Sequence, residues 1–465
     1  MKYVVKAVAV FLFISIVVSC RKTSFITSPD ALVNFSSDTL RFDTVFTTTG
    51  SVTQSFKIFN LNNQKLRLSG LKLMGGTASA FKLNVDGTAG INFPDIELQA
   101  NDSIYVFVSV SINPNTANLP FIVRDSIQVN YNGNNRFVQL QAFGQNANFL
   151  RNRHITKDST WKNDLPFVIL DGVTVDSSAT LTIQKGCKIY SHADAPFMVK
   201  GSLKINGEAA DNARVTFSGD RLDPDYRDLP AAWPGIYFSE SSINNVLNYA
   251  VIRNAFQGII TVLGISTIPK ITLNQCIINN VYDAGIISIA SSIKATNCLI
   301  SNCGSNISIS GGGIYSFTHC TVATYGNLFI AHKNPVLYVS NGYQNQIGPL
   351  LDARFTNCIF YGEGGIAENE VLVDKKGTPT ADQFKVKFEN VLYKNKVNDF
   401  DTYFINSIKN QAPKFDSIDA GRRYFDFHLR PAPPAIGAGM IQTGVAIDLD
   451  GKPRNGKPDL GCYEH

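Results

Sequence analysis

Six near-copies of one short phrase lie between residues 247 and 395, and no other feature constrains the fold as tightly. LNYAVIRN starts at Leu247, LNQCIINN at Leu273, ATNCLISN at Ala295, FTHCTVAT at Phe317, FTNCIFYG at Phe355 and FENVLYKN at Phe388. Aligned on the fourth residue they superpose Ala250, Cys276, Cys298, Cys320, Cys358 and Val391; the steps from Cys276 to Cys298 and from Cys298 to Cys320 are both 22 residues. A period in the twenties marks a small unit that cannot bury its own apolar face and therefore stacks on its neighbours. The longer steps read as loop insertions.

Within each copy apolar residues alternate, as in Cys298 and Ile300 or Cys358 and Phe360, which is the period of a strand with one buried face. Four copies close on Asn254, Asn280, Asn302 and Asn395, and Asn tolerates the left-handed backbone of a tight corner. The pairs Gly258-Ile259, Gly285-Ile286, Gly313-Ile314 and Gly365-Ile366 are expected to restart the strand. The leucine lattice of leucine-rich repeats is missing, and so is the long 3.6-residue periodicity of helical repeats. The pattern predicts a right-handed parallel β-helix with one coil per repeat, about a dozen coils over the last 315 residues at a period of about 22. Only 17% of the residues are charged, and no segment after residue 20 has the pattern of a long amphipathic helix. The net charge of +5 is small for 465 residues, and no Lys/Arg run argues for nucleic acid.

At the N-terminus Lys2 and Lys6 flank an apolar run from Val4 to Val18, followed by Ser19-Cys20. A basic start, a short apolar stretch and small residues describe a secretory signal over 1–19. The run is short of the roughly 20 apolar residues of a spanning helix. Cys20 after such a run resembles a bacterial lipobox, and that resemblance implies cleavage before Cys20, lipid attachment there and the membrane as partner through that anchor. Residues 20–34 then read as a lipidated tether. Arg21 and Lys22 follow the cysteine, where an Asp would have suggested inner-membrane retention, so an outer-membrane lipoprotein of the cell envelope is expected, periplasmic or surface-facing.

Lipidating Cys20 leaves seven of the eight cysteines. Four of them share one repeat position and should stack inward at the strand spacing of about 4.8 Å. That is too far for a relaxed disulfide, whose Cβ atoms lie about 3.8 Å apart. A ladder of free, buried thiols is therefore expected, and no metal site, because equivalent positions form a row and not a tetrahedron.

Residues 35–145 read differently. Strand-like runs at Asp38–Phe46, Val52–Asn60, Leu66–Leu73, Ser103–Ile112, Ser126–Tyr131 and Arg136–Phe143, separated by Gly, Asn and Pro turns, predict an antiparallel β-sandwich. The phrases FKIFNLNNQKLRLSGLKL, FKLNVDG, LQANDSIYVFVSVSINPN and VQLQAFG resemble the Ig-like ASH (abnormal-spindle-like) domains, which implies a spacer or binding arm. From 146 to 465, VILDGVTVDSSATLTIQKGCKIY, FMVKGSLKINGEAADNARVTFSGD and WPGIYFSESSINNVLNYAVIRNAFQGI resemble the opening coils of the pectin-lyase-like superfamily. In that text Gly201, Gly207, Gly235 and Gly258 fall at coil corners, and Trp233 begins a coil. The ending AIDLDGKPRNGKPDLGCYEH resembles the closing segment of secreted bacterial β-helix proteins. This superfamily contains lyases, hydrolases, adhesins and members without activity, so the resemblance speaks for the fold and not for chemistry.

No NTD, paired-Asp or GHG motif of a polygalacturonase occurs. Asp283 stands nearly alone, and Lys270, Lys294 and Lys333 have no companion at matching offsets. Glu363, Glu368 and Glu370 cluster within one insertion and not on facing strands, whereas glycosidases need two carboxylates at set separations. His319 takes the corner position of Asn297 and Asn357, as a turn residue. No catalytic residue and no cofactor are assigned. The loop GDRLDPDYRDLPAAWPG supplies ligand-contact candidates Asp223, Asp225, Tyr226, Asp228 and Trp233, for a sugar or a Ca²⁺-assisted contact, against a self-neutralising surface insertion in which Trp233 itself packs at a coil corner. Asp448-Leu449-Asp450-Gly451 begins like a calcium loop, but Asp459 stands where an EF-hand needs Glu. A closing turn that pairs Arg454 with Asp459 or Asp448 and covers the last open coil is expected instead. The expected role is binding or structural, with glycan or an envelope protein as partner; a polysaccharide lyase or hydrolase with its site on the helix flank is the alternative.

Overall fold

A computed structural model describes residues 24–46, 50–113, 121–431, 434–454 and 456–465. The expected signal segment, 1–19, and Cys20 lie outside the described residues. The chain is all-β, an Ig-like sandwich followed by a right-handed parallel β-helix. It divides into two compact units, Met1–Asn146 and Ala147–His465.

In the first unit two five-stranded sheets face each other. Strand Ser103–Val110 is the centre of one, between Gln54–Asn60 and Phe81–Val85. Strands Thr39–Phe46, Asn134–Gln145 and Phe121–Tyr131 run side by side in the other. Alternation decides the core: Ile104, Val106, Val108 and Val110 are buried while Tyr105 and Phe107 between them are exposed. One pairing departs from the antiparallel expectation, since Asn134–Gln145 runs parallel to Thr39–Phe46.

In the second unit each complete coil contributes three strands. The IINN half of each repeat phrase lies in an eleven-stranded sheet, here the third face, and the first two faces merge into a seventeen-stranded sheet. The register is uniform: Ile252, Ile278, Ile300, Val322 and Phe360 stack in one inward column of the third face. The first residue of the phrase forms a second inward column, Leu247, Leu273, Ala295, Phe317, Phe355 and Phe388. The rings of Phe317, Phe355, Phe388 and Phe404 stack along it at 5.4, 4.7 and 4.4 Å. Cys276, Cys298, Cys320 and Cys358 are fully buried and free, as are Cys187, Cys303 and Cys462. Their sulfurs find backbone carbonyls, as when Cys276 Sγ donates to Leu247 O at 3.2 Å. Burial pushes the Cys303 thiol up to about 12 and raises Cys276, Cys298 and Cys320 well above the ordinary thiol range.

One corner of every repeat, and a second in several, takes left-handed backbone. The third residue of the phrase does so in every copy, at Tyr249, Gln275, Asn297, His319, Asn357 and Asn390, with φ between 50° and 56°. The closing residues Asn254, Asn280 and Asn302 do so too, whereas Asn395 does not; its amide instead pairs with both backbone groups of Val371. Coils approach each other closely at Gly235, where φ is +113° and a Cβ would stand 1.6 Å from Gln257 O. The restart at Gly313-Ile314 is seen: after left-handed Gly311 and Gly312 the chain leaves its pairing with Leu337–Val339 and begins a new one with Leu351–Thr356 at Gly313. One expected restart is corrected: Gly365-Ile366 is in a loop, with Ile366 76% exposed.

The closing segment behaves differently from expectation. It does not cover the last coil but lies along the outside of the third face. There Leu299, Ala323, Ile359, Tyr361 and Leu392 point outward and are buried beneath Phe415, Phe427, Leu429, Leu449, Leu460, Cys462 and Tyr463. The left-handed corner residues hold this strap coil by coil. Asn390 Nδ2 donates to Ala438 O at 3.0 Å, Asn357 Nδ2 to Met440 O at 2.9 Å and Asn297 Nδ2 to Ile447 O at 2.6 Å; His319 Nε2 meets Thr443 Oγ1 at 3.2 Å. Burial first, then the nearby Arg454 charge, lower His319 to about 3, so this imidazole is neutral. Arg454 pairs with Glu464 at 2.7 Å and with Asn297 Oδ1 at 2.9 Å, not with the carboxylates of Asp448 or Asp459.

His428 bridges Asp450, at 2.9 Å, and Asp426, at 2.5 Å, with Tyr463 against its ring and Arg214 on the far side of Asp450. The Asp450 hydrogen bond first, then Asp426, raise it to about 9 against burial. The folded value lies above the ordinary 6.5, so this contribution is complete below about pH 6.5 and is lost as the pH rises through about 9. Amide exchange of the strap should therefore quicken between pH 6.5 and 9 once corrected for intrinsic rates, and His428→Gln should remove that pH dependence.

Candidate functional site

The corner between the third and first faces carries the densest polar constellation of the second unit. It begins with the Asn column. Asn280 Nδ2 donates to Asn254 Oδ1 at 2.8 Å and to Asp228 O at 2.9 Å, and Asn254 Nδ2 donates to Arg227 O at 2.6 Å. The column thus fastens the 220–232 insertion to the coil edge. From the other side the antiparallel hairpin Phe415–Asp419 and Tyr424–Leu429 places Arg423 so that Nη1 donates to Asp228 O at 3.0 Å. Insertion, column and hairpin enclose a cleft of about 260 Å³, whose lining includes Arg253, Asn279, Asn302, Asn327, Arg422 and Phe425.

Three guanidiniums, Arg253, Arg422 and Arg423, line this cleft against one carboxylate, Asp228, which Arg227 already meets at 3.3 Å. Arg422 lies 3.6 Å from Asp419 and is 89% exposed, so its charge is open to a ligand. No described residue pairs with the buried Asn279 Oδ1. Two residues past the column, on successive coils, Phe256 and Tyr282 are exposed and stack at 5.8 Å and 24°. Amides, guanidiniums and an exposed aromatic pair are the groups that engage hydroxyls, acidic substituents and the apolar faces of sugar rings.

Of the five contact candidates from the insertion, Asp228 lines the cleft. Asp223 is occupied by Arg221 at 2.9 and 3.0 Å, and Arg221 lies 3.8 Å from the ring centre of Tyr226, so this tip neutralises itself. Asp225 and Tyr226 are exposed on the same tip. Trp233 is no ligand contact but is packed at a coil corner: it is fully buried, its Nε1 donates to Arg253 O at 2.9 Å, and no face is left for a ligand. The Asp448 turn is likewise closed, with its carboxylate accepting from the backbone of Asp450, Lys452 and Glu464 at 2.9, 2.7 and 2.9 Å.

A second cleft, of about 260 Å³, is lined by Tyr361, Glu363, Glu368, Lys394, Asn395, Lys396 and Asn410. Its charges are mutually engaged: Tyr361 donates to Glu363, Lys396 meets Glu368 at 2.7 Å, and Lys394 Nζ donates to Gly362 O at 2.6 Å. Glu370 is the fully buried partner of His332, at 2.9 Å. Asp283 accepts from Gln257 Nε2 at 2.6 Å.

Arg253, Asn279, Arg422, Arg423, Phe256 and Tyr282 were not anticipated. Phe256 and Tyr282 carry a readable signal, since both stand two residues beyond the closing Asn of a repeat. The hairpin arginines carry none, because they reach the cleft from 95 or more residues downstream of the coil residues that line it.

No protein-family model matches the chain, and no curated protein matches it. Among solved structures it is similar to a family 123 glycoside hydrolase from Clostridium perfringens at 9% identity and TM-score 0.18, over 26% of this chain and 30% of that one. The ASH/PapD-like domain 7 of human CEP192 is similar at 10% identity and TM-score 0.18, over 27% of this chain and 92% of that one. A protein of unknown function from Porphyromonas gingivalis W83 is similar at 10% identity and TM-score 0.19, over 26% and 59%. Likenesses this slight carry no argument about function.

Proposed function

We propose that this protein is a lipid-anchored component of the cell envelope that binds glycan, without turnover, at the corner cleft of its β-helix. The observation that carries the reading is the Asn column opening onto Arg253, Arg422 and Arg423 beside the exposed Phe256–Tyr282 pair. The cleft is open and polar and lacks an apolar interior that would desolvate a small ligand, so weak, extended contact suits it better than deep capture. The basic lining favours chains with acidic substituents. The lipobox-like end supports anchoring through Cys20 in the outer membrane.

The rival reading, a polysaccharide lyase or hydrolase, is favoured by the second cleft, where two carboxylates and two lysines stand together. The engagement of both carboxylates, Glu363 by the Tyr361 hydroxyl and Glu368 by Lys396, argues against it, since a general acid or base needs a free proton position. A glycan array with the full chain, run beside a degradation screen, separates the two. Retention of glycans without product, weakened about tenfold by Arg253→Gln with Arg422→Gln, supports binding. Product formation abolished by Glu363→Gln would establish the enzyme. Cys20→Ala should release the protein from the membrane fraction and end fatty-acid labelling.

A further inference from the structure

Residues 20–34 are expected to form a tether, yet from residue 24 onward the chain is fastened to the first unit. Gln64 Nε2 donates to Ser24 Oγ at 2.8 Å, and Ile26 N donates to Lys65 O at 2.8 Å. The Arg67 guanidinium lies 4.4 Å from the ring centre of Phe25. Asn132 Nδ2 donates to Ile26 O and Ser28 O at 3.1 and 2.9 Å, and Ala31 is buried in the sandwich core. Arg21, Lys22 and Thr23 alone separate Ser24 from Cys20, so the two Cα atoms are at most about 14 Å apart.

Two exposed leucines stand at this end of the sandwich. Val33 pairs with Asn60 across antiparallel strands, and continuing that register by one residue places Leu32 opposite Leu61. Leu61 N donates to Leu32 O at 3.0 Å, and residues opposite each other share a face. The two side chains are 63% and 53% exposed. Their backbones are fixed from beneath. Buried Asn62 holds Leu32 through its N–H and its C=O, both at 3.0 Å. Fully buried Asn60 donates through Nδ2 to Gln64 O at 2.8 Å, and Gln64, which meets Ser24, follows Leu61 by three residues.

We infer that Leu32 and Leu61 dip into the phospholipid surface beside the anchor, so that the first unit lies against the membrane and is not a free spacer. The inference rests on the anchoring at Cys20 proposed above. A lipid surface is the occupant because the short link from Cys20 brings one to this end. Apolar side chains held there gain by entering the boundary between headgroups and acyl chains, to a depth of about 5–10 Å. Charge contributes little, since Lys65 and Arg67 share Glu97 at 3.8 and 3.4 Å, and Asp30 and Asp102 are exposed beside the leucines. A protein partner is the poorer fit, because a stable interface buries on the order of 1,200–2,000 Å², far more than two leucines offer.

The test uses the full lipidated chain in phosphatidylethanolamine–phosphatidylglycerol vesicles whose acyl chains carry a fluorescence quencher. A thiol-linked dye is placed through Asn63→Cys or Ala78→Cys; the seven cysteines beyond Cys20 are buried, so the introduced thiol takes the dye. Asn63 is exposed in the leucine loop. Ala78 is exposed at the opposite end, where Ser111 N meets Ala80 O, roughly 24 Å away along strand Ser103–Val110. The Asn63 dye should be quenched about twofold or more beyond the Ala78 dye, equally at low and high salt. Leu32→Ser with Leu61→Ser should abolish that difference and leave fatty-acid labelling and the melting temperature unchanged. Equal quenching at both positions in a fatty-acid-labelled protein would overturn the contact and leave the anchor standing. Absence of the fatty-acid label would overturn the anchor and this contact together. A difference that survives the paired serines would assign the contact to other residues and overturn the inference. A dye shift at Asn63 that grows with protein density, without quenching from the lipid, would put a second copy over the leucines and overturn it as well.

Discussion

Cys298→Asp should prevent the β-helix from folding, whereas Cys298→Ala should cost only about 1–2 kcal/mol. Cys298 is fully buried between Cys276 and Cys320, and its neighbours in the column offer thiols and backbone carbonyls but no cation. A carboxylate there must be buried without a partner, at several kcal/mol or more, which is a large share of the net stability of a domain. The check is soluble expression and thermal unfolding of the two variants. In the parent, thiol reagents should reach Cys276, Cys298, Cys320 and Cys358 only on unfolding. Rapid labelling of the native protein at these four positions would contradict the stacked coils.

The second large effect concerns the strap. A chain ending at Asn410 should bind a hydrophobic dye and aggregate, because Leu299, Ile359 and Leu392 would form an apolar stripe on the outside of the third face. Each large strap side chain that loses its burial forfeits about 1.5–3 kcal/mol, and Phe415, Phe427, Leu449 and Leu460 act together. A single substitution, Leu449→Asp, should weaken docking without deleting the segment, seen as proteolysis within 434–465 while the coils stay protected. A truncated chain that remains monomeric and melts like the parent would show that the strap does not stabilise the coils.

The coils were legible because their physics is local. Strand alternation, the corner Asn residues and the cysteine column all repeat within 22 residues, so one phrase exposes them. The corner role of His319 was equally readable by alignment with Asn297 and Asn357, and it takes the same left-handed backbone. The destination of the closing segment was not, because its contacts join residues such as Asn357 and Met440, 83 apart, or Asn297 and Ile447, 150 apart. A hint was present all the same. Leu299, Ile359 and Leu392 are apolar at positions that alternation assigns to the outside, and an outward apolar column calls for a cover. For the cleft, Asp228 is legible from its loop, whereas Trp233, named with it, proves to be a packed corner residue, because exposure of an indole beside a Pro-Gly turn depends on which coil packs over it.

The strap meets Asn390, Asn357, His319 and Asn297 in that order at residues 438, 440, 443 and 447, so it runs against the direction in which the coils were laid down. Further along, Arg214 of a still earlier coil donates to Leu449 O at 3.1 Å. The tail is therefore a gauge. Its donors and acceptors match a flank of one particular length, and a chain that gained or lost a single coil between Arg214 and Asn390 would shift every later contact by one rung. In a solenoid, whose units otherwise add or drop out at little cost to their neighbours, a segment made after the coils checks the tally of those before it.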